Sequence, residues 1–479
     1  MNKIARCGLT RVVSLAHRVY TPLALFLLAI APLSVFSCPV NAQEHKATPP
    51  EFNLTLVGDA ISVTPVMVHQ SEPQFMGVVN AVRKGDAAAI NFEGTFAGEA
   101  AFPIADTGGT WIASDPNRLK DLQEIGLNLF STANNHSVDF GVRGLLDTIG
   151  VFKQGGAVFA GIGENLGEAR APAYLSTPHG RVALISGAST FSVEGPAGEA
   201  RPDMRGRPGL SALHHQTIYR VNAATFDALR KMRQDLGVGQ GGANSPQTLR
   251  IPFDSGDVTF ESSDKTGVVT VPDPRDLAEI THSIRDAREM ADYVVTYVHA
   301  HEQIPGDVEI PAQFVAGYAH AAIDAGADVF AASGPHVLRG IEIYKGKVII
   351  YSLGNFIFEN DLVEHQPTDL YRTFGLGLDA LTAELYDARS DHDRRNWPAE
   401  PRDWQSVVAN VVFRNGRPAE INLTPISLGY GATRPNRGIP RLAESAMATQ
   451  ILERLQKLSQ PFGTNIAIKN GIGTITIAK

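Results

Sequence analysis

The sequence predicts an α/β protein built on a mostly parallel, buried sheet. Three observations predict it. Short runs of β-type residues, apolar on both faces, recur along the chain, as strands covered by helices on either side must be. Helical patterns separate the runs. Six of the runs end abruptly in polar groups, where ligands bind in such sheets.

The elements follow in order. NLTLV (53–57) ends at Gly58-Asp59, and AAAINFEG (87–94) carries Asn91 and Glu93 at its end. LNLFSTA (127–133) runs into Asn134-Asn135-His136. Leu145, Leu146, Ile149 and Phe152 then share one helix face, with Ser137 or Asp139 as the cap. RVALISGAS (181–189) is another buried strand. From 190 to 275 the pattern weakens into Gly-, Pro- and Asn-rich text. It holds one helix over about 223–235 and a hairpin near GDVTFESSDKTGVVTV. An insertion of this kind beside a strand end reads as a lid.

Alternation resumes with DYVVTYV (292–298), which meets His299, His301 and Glu302. FVAGYAHAAIDAG is a helix. ADVFAA (327–332) ends at Ser333-Gly334-Pro335-His336, and KVIIYSL (347–353) ends at Gly354-Asn355. A β-rich tail, a helix over 440–458 and a hairpin close the chain. The domain reading is a signal peptide over 1–42, a linker over 43–51, one domain over 52–430 and a C-terminal helix and hairpin over 431–479.

Length and composition agree: 479 residues with 43% hydrophobic content can bury a large core. The net charge of −8, with no basic stripe, argues against nucleic acid as a partner. The N-terminus reads as an export signal. Lys3, Arg6, Arg11 and Arg18 precede the apolar run TPLALFLLAIAPLSVF, and Val40 and Ala42 occupy the small-residue cleavage positions. Cleavage after Ala42 delivers the protein to the periplasm or cell surface. The alternatives are an uncleaved N-terminal anchor, or a lipoprotein acylated at Cys38. Cleavage removes both cysteines, Cys7 and Cys38, so no disulfide or thiolate site is expected. It also removes four cations, taking the formal charge from −8 to −12.

The polar strand ends form a chemical set of Asp, Glu, Asn and His without Cys. Carboxylate, amide oxygen and neutral imidazole are ligands for hard to borderline divalent cations, and imidazole favours Mn, Fe or Zn over Ca. In this reading Asn135 lends an amide oxygen, and His136 stands beside the ion to protonate a leaving oxygen. Asn134 is read instead as a turn residue. Arg339 and Lys345 are candidates for contact with an anionic substrate or for solvated surface charge. Asn355 is read either as a site residue or as a turn residue.

The segments LTLVGDA, NFEG, TANNHSVDFGVRGLLDTI, VVTYVHAHEQ, ASGPHVLRGIEIYKGK and YSLGNF, in this order, resemble the motifs of the CapA family. These are capsule and poly-γ-glutamate synthesis proteins related to calcineurin-like metallophosphoesterases. The resemblance implies a four-layer α/β/β/α sandwich with a one- or two-ion metal centre. It further implies hydrolysis or transfer on a phosphoester or anionic polymer, within a membrane-bound synthesis complex. Carried over by motif, Asp59, Glu93, Asn135, His299, His301 and His336 are the metal ligands. His136 and Asp59 are then the expected catalytic residues, while Arg339 and Asn355 are candidates for substrate contact by their place near the last motifs and not by carry-over. Ser333 departs from the pattern, standing where the family has histidine. Either one metal position is weakened, or His301 or Glu302 compensates, or the scaffold has become a non-catalytic binding subunit.

Overall fold

The structure, a computed structural model, describes residues 51–238, 245–253 and 256–478. The proposed signal peptide, with Cys7 and Cys38, lies outside the described residues, as does the linker up to residue 50.

Two sheets stack face to face. The larger runs in the order Ala467–Lys469, Ile472–Thr476, Arg417–Ser427, Gln405–Arg414, Phe52–Ile61, Ala87–Phe92, Leu129–Ser131, Val158–Ala160. The smaller runs Ile341–Tyr344, Lys347–Ile350, Val329–Ser333, Tyr293–His299, Gly180–Ala188, Ala173–Thr177. The site-bearing strands of each sheet are parallel. Leu54, Leu56, Val295, Tyr297, Val329 and Leu423 fill the space between the sheets. On the outer face of the larger sheet, Val79, Leu122 and Phe152 come from the helices Pro73–Val82, Arg118–Ile125 and Gly141–Gln154. On the outer face of the smaller one, Ile284 and Phe314 come from Pro274–Met290 and Gln313–Ala325. The result is the four-layer α/β/β/α sandwich. Strands buried on both faces have no use for alternating polarity, which is why they read as unbroken apolar runs.

The first strand changes partner midway. Its first half pairs antiparallel with Gln405–Arg414, and its last residues pair parallel with Asn355–Phe358, in register Asp59 to Asn355. A Cβ on Gly58 would stand 1.8 Å from the Gly354 carbonyl oxygen, so only glycine lets the two backbones cross there. This crossing sets Asp59 and Asn355 side by side.

The insertion differs from expectation in one respect. Its helix, Ala223–Asp235, falls where the pattern put it. The expected hairpin is not one: Gly256–Ser262 and Gly267–Pro272 both pair with His215–Val221, which lies between them. With Thr248–Phe253 they make a four-stranded sheet over a small core of Phe226, Leu249 and Ile251. A strand contributed from far upstream leaves no local signal, so adjacency in sequence was mistaken for pairing. The closing hairpin, Ala467–Lys469 with Ile472–Thr476, forms as expected and extends the larger sheet. The helix before it, Ser445–Ser459, contributes Ile451, Leu452 and Leu455 to the inter-sheet core.

Candidate metal centre

The C-terminal ends of both sets of parallel strands meet at one rim. Asp59 lies in the first strand and is fully buried. Its Oδ1 accepts from Asn91 Nδ2 at 2.7 Å and its Oδ2 from the Gly334 backbone N–H at 2.8 Å. Gly334 has φ +117°, and a Cβ there would press on the Ala300 backbone at 2.9 Å. Its backbone therefore approaches as no other residue could.

Glu93 follows the Ala87–Phe92 strand and is the centre of the arrangement. Its Oε1 lies 3.8 Å from His136 Nε2, 3.8 Å from His299 Nε2 and 3.9 Å from His336 Nε2. Both of its oxygens are buried without a hydrogen-bond partner, and so is Asn135 Oδ1. Burial, then the nearby Asp59 and Asp139 charges, hold the Glu93 carboxyl well above the usual glutamate range. For Asp59 burial acts in the same direction, but the facing His299 ring and the His336 charge outweigh it and leave the group below its ordinary value.

The imidazoles are each oriented by a second group. His299 Nδ1 lies 3.1 Å from Asn91 Nδ2, and its Nε2 faces His301 Nε2 at 3.0 Å. His336 has φ 59°, a left-handed backbone unusual for a non-glycine residue. Its Nδ1 lies 2.8 Å from Asn355 Oδ1. Asn355 Nδ2 donates to the His336 and Asp403 carbonyls, which fixes the amide so that Oδ1 accepts. His336 Nδ1 must then carry the proton, and the Nε2 lone pair is left facing Glu93. Burial, followed by the His299 charge, drives the His301 imidazole well below its ordinary value. Burial also lowers His336. Both shifts favour the neutral ring, the form that binds a cation.

A buried carboxylate with two orphaned oxygens, ringed by imidazole nitrogens, is costly without a positive ion. The donors fit one. Glu93, His299 and His301 form one group able to hold a metal, and Asp59, Glu93 and His336 form another, with Glu93 shared. Ser333 pairs with His299 in the strand register, and its hydroxyl is buried without a partner at the same rim. Glu302 does not fill the gap left by the family histidine: its carboxylate accepts from Ser189 and Thr190 at 2.6 and 2.9 Å. His301 stands there instead.

His136 faces the same carboxylate from the other side. Its Nδ1 meets Asp139 Oδ2 at 2.7 Å. Asp139 also accepts from the Ile112 N–H at 2.7 Å and the Thr107 hydroxyl at 2.5 Å. Neither Ser137 nor Asp139 caps the following helix, whose N-cap is Phe140. Asp139, which sequence reasoning offered as a helix cap, instead orients the His136 ring. Asn134 shapes the turn, with Oδ1 accepting from the His136 N–H and Nδ2 donating to the Phe92 carbonyl.

Two expected substrate contacts lie elsewhere. Arg339 is fully buried, and its guanidinium donates to the Val308, Ala300 and His301 carbonyls. It braces the His301 loop and offers nothing to solvent, in place of the surface cation expected. Asn355 is at the site, but its amide is committed to His336 and Asp403. Lys345 is bound to Asp324 on the surface.

An α/β/β/α sandwich with a carboxylate–imidazole pocket at its strand ends is the architecture of the metallophosphoesterase-like superfamily. The model of the bacterial capsule synthesis protein family PGA_cap matches residues 53–360, and the chain belongs to that family. An uncharacterised Sinorhizobium fredii protein, y4sH, is 36% identical over 440 residues, covering 89% of this chain and 93% of its own. The PGA biosynthesis protein CapA of Bacillus subtilis is 26% identical over 285 residues, 60% of this chain and 56% of its own. The capsule biosynthesis protein CapA of Bacillus anthracis is 25% identical over 248 residues, 52% of this chain and 44% of its own.

Proposed function

We propose that this is an exported, metal-dependent hydrolase or transferase of capsule or poly-γ-glutamate biosynthesis, acting on a phosphoester or anionic polymer. The observation that carries this reading is Glu93, whose oxygens are both without partners and whose Oε1 lies among three histidine nitrogens. Glu93, His299 and His301 would hold one ion, and Asp59, Glu93 and His336 a second. Mn, Fe or Zn suits these donors. A bound divalent ion would supply Lewis acidity toward a phosphoryl or carbonyl oxygen.

The chain's own residues account for the rest. The Asp139 carboxylate holds the His136 ring so that Nε2 faces the pocket, where it can deliver a proton to a leaving oxygen. Asn91 and Gly334 fix both oxygens of Asp59. Export rests on the N-terminal pattern, and the family supports a polymer-associated role.

Elemental analysis of the purified protein tests this, with turnover of bis(p-nitrophenyl) phosphate and γ-glutamyl substrates before and after chelation. About one to two ions per chain and chelator-sensitive turnover are expected, with His301→Ala losing one ion. Metal-free protein without chelator-sensitive turnover overturns the reading.

A second reading, a non-catalytic polymer-binding or assembly subunit, is favoured by Ser333 and by the first motif, Gly58-Asp59-Ala60-Ile61, which lacks the Asp-x-His spacing of phosphoesterases. It requires polymer binding that survives both Asp59→Ala and His136→Ala.

A further inference from the structure

Arg389 is a half-buried cation without a counter-ion. It stands near the end of the helix Thr382–Ser390. The carboxylates that follow or precede it are taken: Asp387 by Arg434 at 2.7 Å, Asp391 by Arg394 at 2.7 Å and Asp393 by Arg437 at 2.8 Å. Among the described residues the Arg389 side chain makes one hydrogen bond, from Nη1 to the Thr110 hydroxyl at 2.6 Å. Burial pulls the guanidinium below its ordinary value, and Tyr386 and Asp361 offset this only in part. A partly buried charge without a partner costs stability. Glu93 lacks a cation, and Arg389 lacks an anion.

The guanidinium is nevertheless held in place. Its Cζ sits 4.4 Å from the Trp397 ring centroid. The Arg389 carbonyl accepts from Asn396 Nδ2 at 2.7 Å and from Arg395 Nε at 3.3 Å. A guanidinium packed on an aromatic ring keeps its N–H fork for an oxyanion.

Its neighbour is a wall of the metal centre. The loop from Ile104 to Ile112 wraps Asp139, which orients His136. The Ile104 N–H donates to the Asp139 carbonyl at 2.9 Å, and the Thr107 hydroxyl and the Ile112 N–H donate to its carboxylate. Two glycines form the middle of this loop. Asn135 Nδ2 lies 2.8 Å from where a Cβ on Gly108 would stand, and Arg389 Nη2 lies 2.7 Å from where one on Gly109 would. Neighbouring Cβ positions are at most about 7 Å apart, so the guanidinium stands within about 12 Å of the Asn135 amide. A side chain at either position would press on Asn135 or on Arg389. No described acceptor takes the N–H of Gly108 or Gly109, and Gly108 is exposed.

We propose that Arg389 and the backbone N–H groups of Gly108 and Gly109 bind a second anionic group of the substrate, further along an extended polyanion than the group at the metal centre. The proposal rests on the reading of this protein as a metal-dependent enzyme acting on an anionic substrate. The chemistry recognised is an oxyanion, carboxylate or phosphate, for which backbone N–H groups beside a guanidinium are a suitable cradle. Arg389 thus supplies the substrate contact that Arg339, turned to buried carbonyls, does not.

Isothermal titration calorimetry of the full-length, manganese-loaded protein tests this with penta-γ-glutamate, tripolyphosphate and orthophosphate. Wild type should bind at least one of the two polyanions more tightly than orthophosphate. Arg389→Gln should weaken that polyanion by about tenfold or more, with orthophosphate affinity held within about twofold and metal content unchanged. The polyanion that loses affinity identifies carboxylate or phosphate as the group recognised. Arg389→Lys keeps the charge without the fork and should lose less than Arg389→Gln. Arg372→Gln, at an exposed arginine of the helix Thr368–Thr373, should change nothing. Polyanion binding unchanged in Arg389→Gln, equal weakening of orthophosphate, equal loss in both Arg389 variants, or a wild type that binds neither polyanion overturns the proposal. A wild type that holds no metal refutes the parent reading separately, and the same comparison of polyanion binding is then read on the metal-free protein.

Discussion

Glu93→Gln should stabilise the metal-free protein and destabilise it, relative to wild type, once metal is added. The amide keeps the volume of the carboxylate and removes its charge. In the absence of a cation Glu93 has two buried oxygens without partners, and an unsatisfied buried polar group costs about 1–3 kcal/mol. The variant, whose amide also lacks partners but carries no charge, should recover roughly that amount where wild type would have to hold the carboxylate ionised. With metal at about 100 times its dissociation constant, wild type gains about 2.7 kcal/mol, and the variant gains little. A folded body of roughly 430 residues has an unfolding entropy of about 0.9 kcal/mol/K, so these energies become shifts of about 1–3 °C in each direction. The pH dependence has a definite sign. Glu93 titrates higher folded than unfolded, so it is neutral in both states below the ordinary glutamate range, and the metal-free advantage of the variant vanishes there. The advantage grows as pH rises toward the folded value. Differential scanning calorimetry in chelator and in added Mn or Zn reads both arms. Melting curves of variant and wild type that do not cross over between the two conditions refute the assignment of Glu93 as the shared ligand.

Three further outcomes follow from the same geometry. Asp139→Asn should leave metal content unchanged by elemental analysis while lowering turnover of bis(p-nitrophenyl) phosphate about 10²–10⁴-fold, because His136 loses the acceptor that sets its tautomer. Arg339→Leu should lower stability by about 3 kcal/mol in denaturant titration, through three buried carbonyls left without a donor, and should not act as a selective rise in KM for anionic substrates. Asp403 is pushed up to about 7 by burial and then by Glu400, so the folded state binds its proton more tightly than the unfolded state. Its contribution is favourable at low pH and is lost as pH rises from about 4 to about 7. Asp403→Asn should therefore flatten that decline and be more stable than wild type at pH 8 by about 2–4 kcal/mol in urea unfolding.

What was legible in the sequence divides along a physical line. Strand identity and the rim were readable because burial on both faces imposes unbroken apolar runs, and because side chains at strand ends lie within four residues of those runs. Asp59, Glu93, His136, His299, His301 and His336 all satisfy that condition, and all converge. Roles that depend on partners far away in the chain were not readable. The burial of Arg339 depends on carbonyls at 300–308 that only the fold brings to it. Asp139 illustrates the sharper case: a carboxylate three residues after a histidine, just before a helix, fits a cap and an imidazole partner equally well. The choice is made by the Ile112 N–H and the Thr107 hydroxyl, which arrive from a loop with no local link to it. Ser333 is the remaining test of this division. The sequence marks a missing imidazole, and the fold answers with His301, whose Nε2 stands 3.0 Å from that of His299. Glu93, His299 and His301 still form a group able to hold a metal beside Ser333, so motif loss alone is weak ground for inferring loss of the ion.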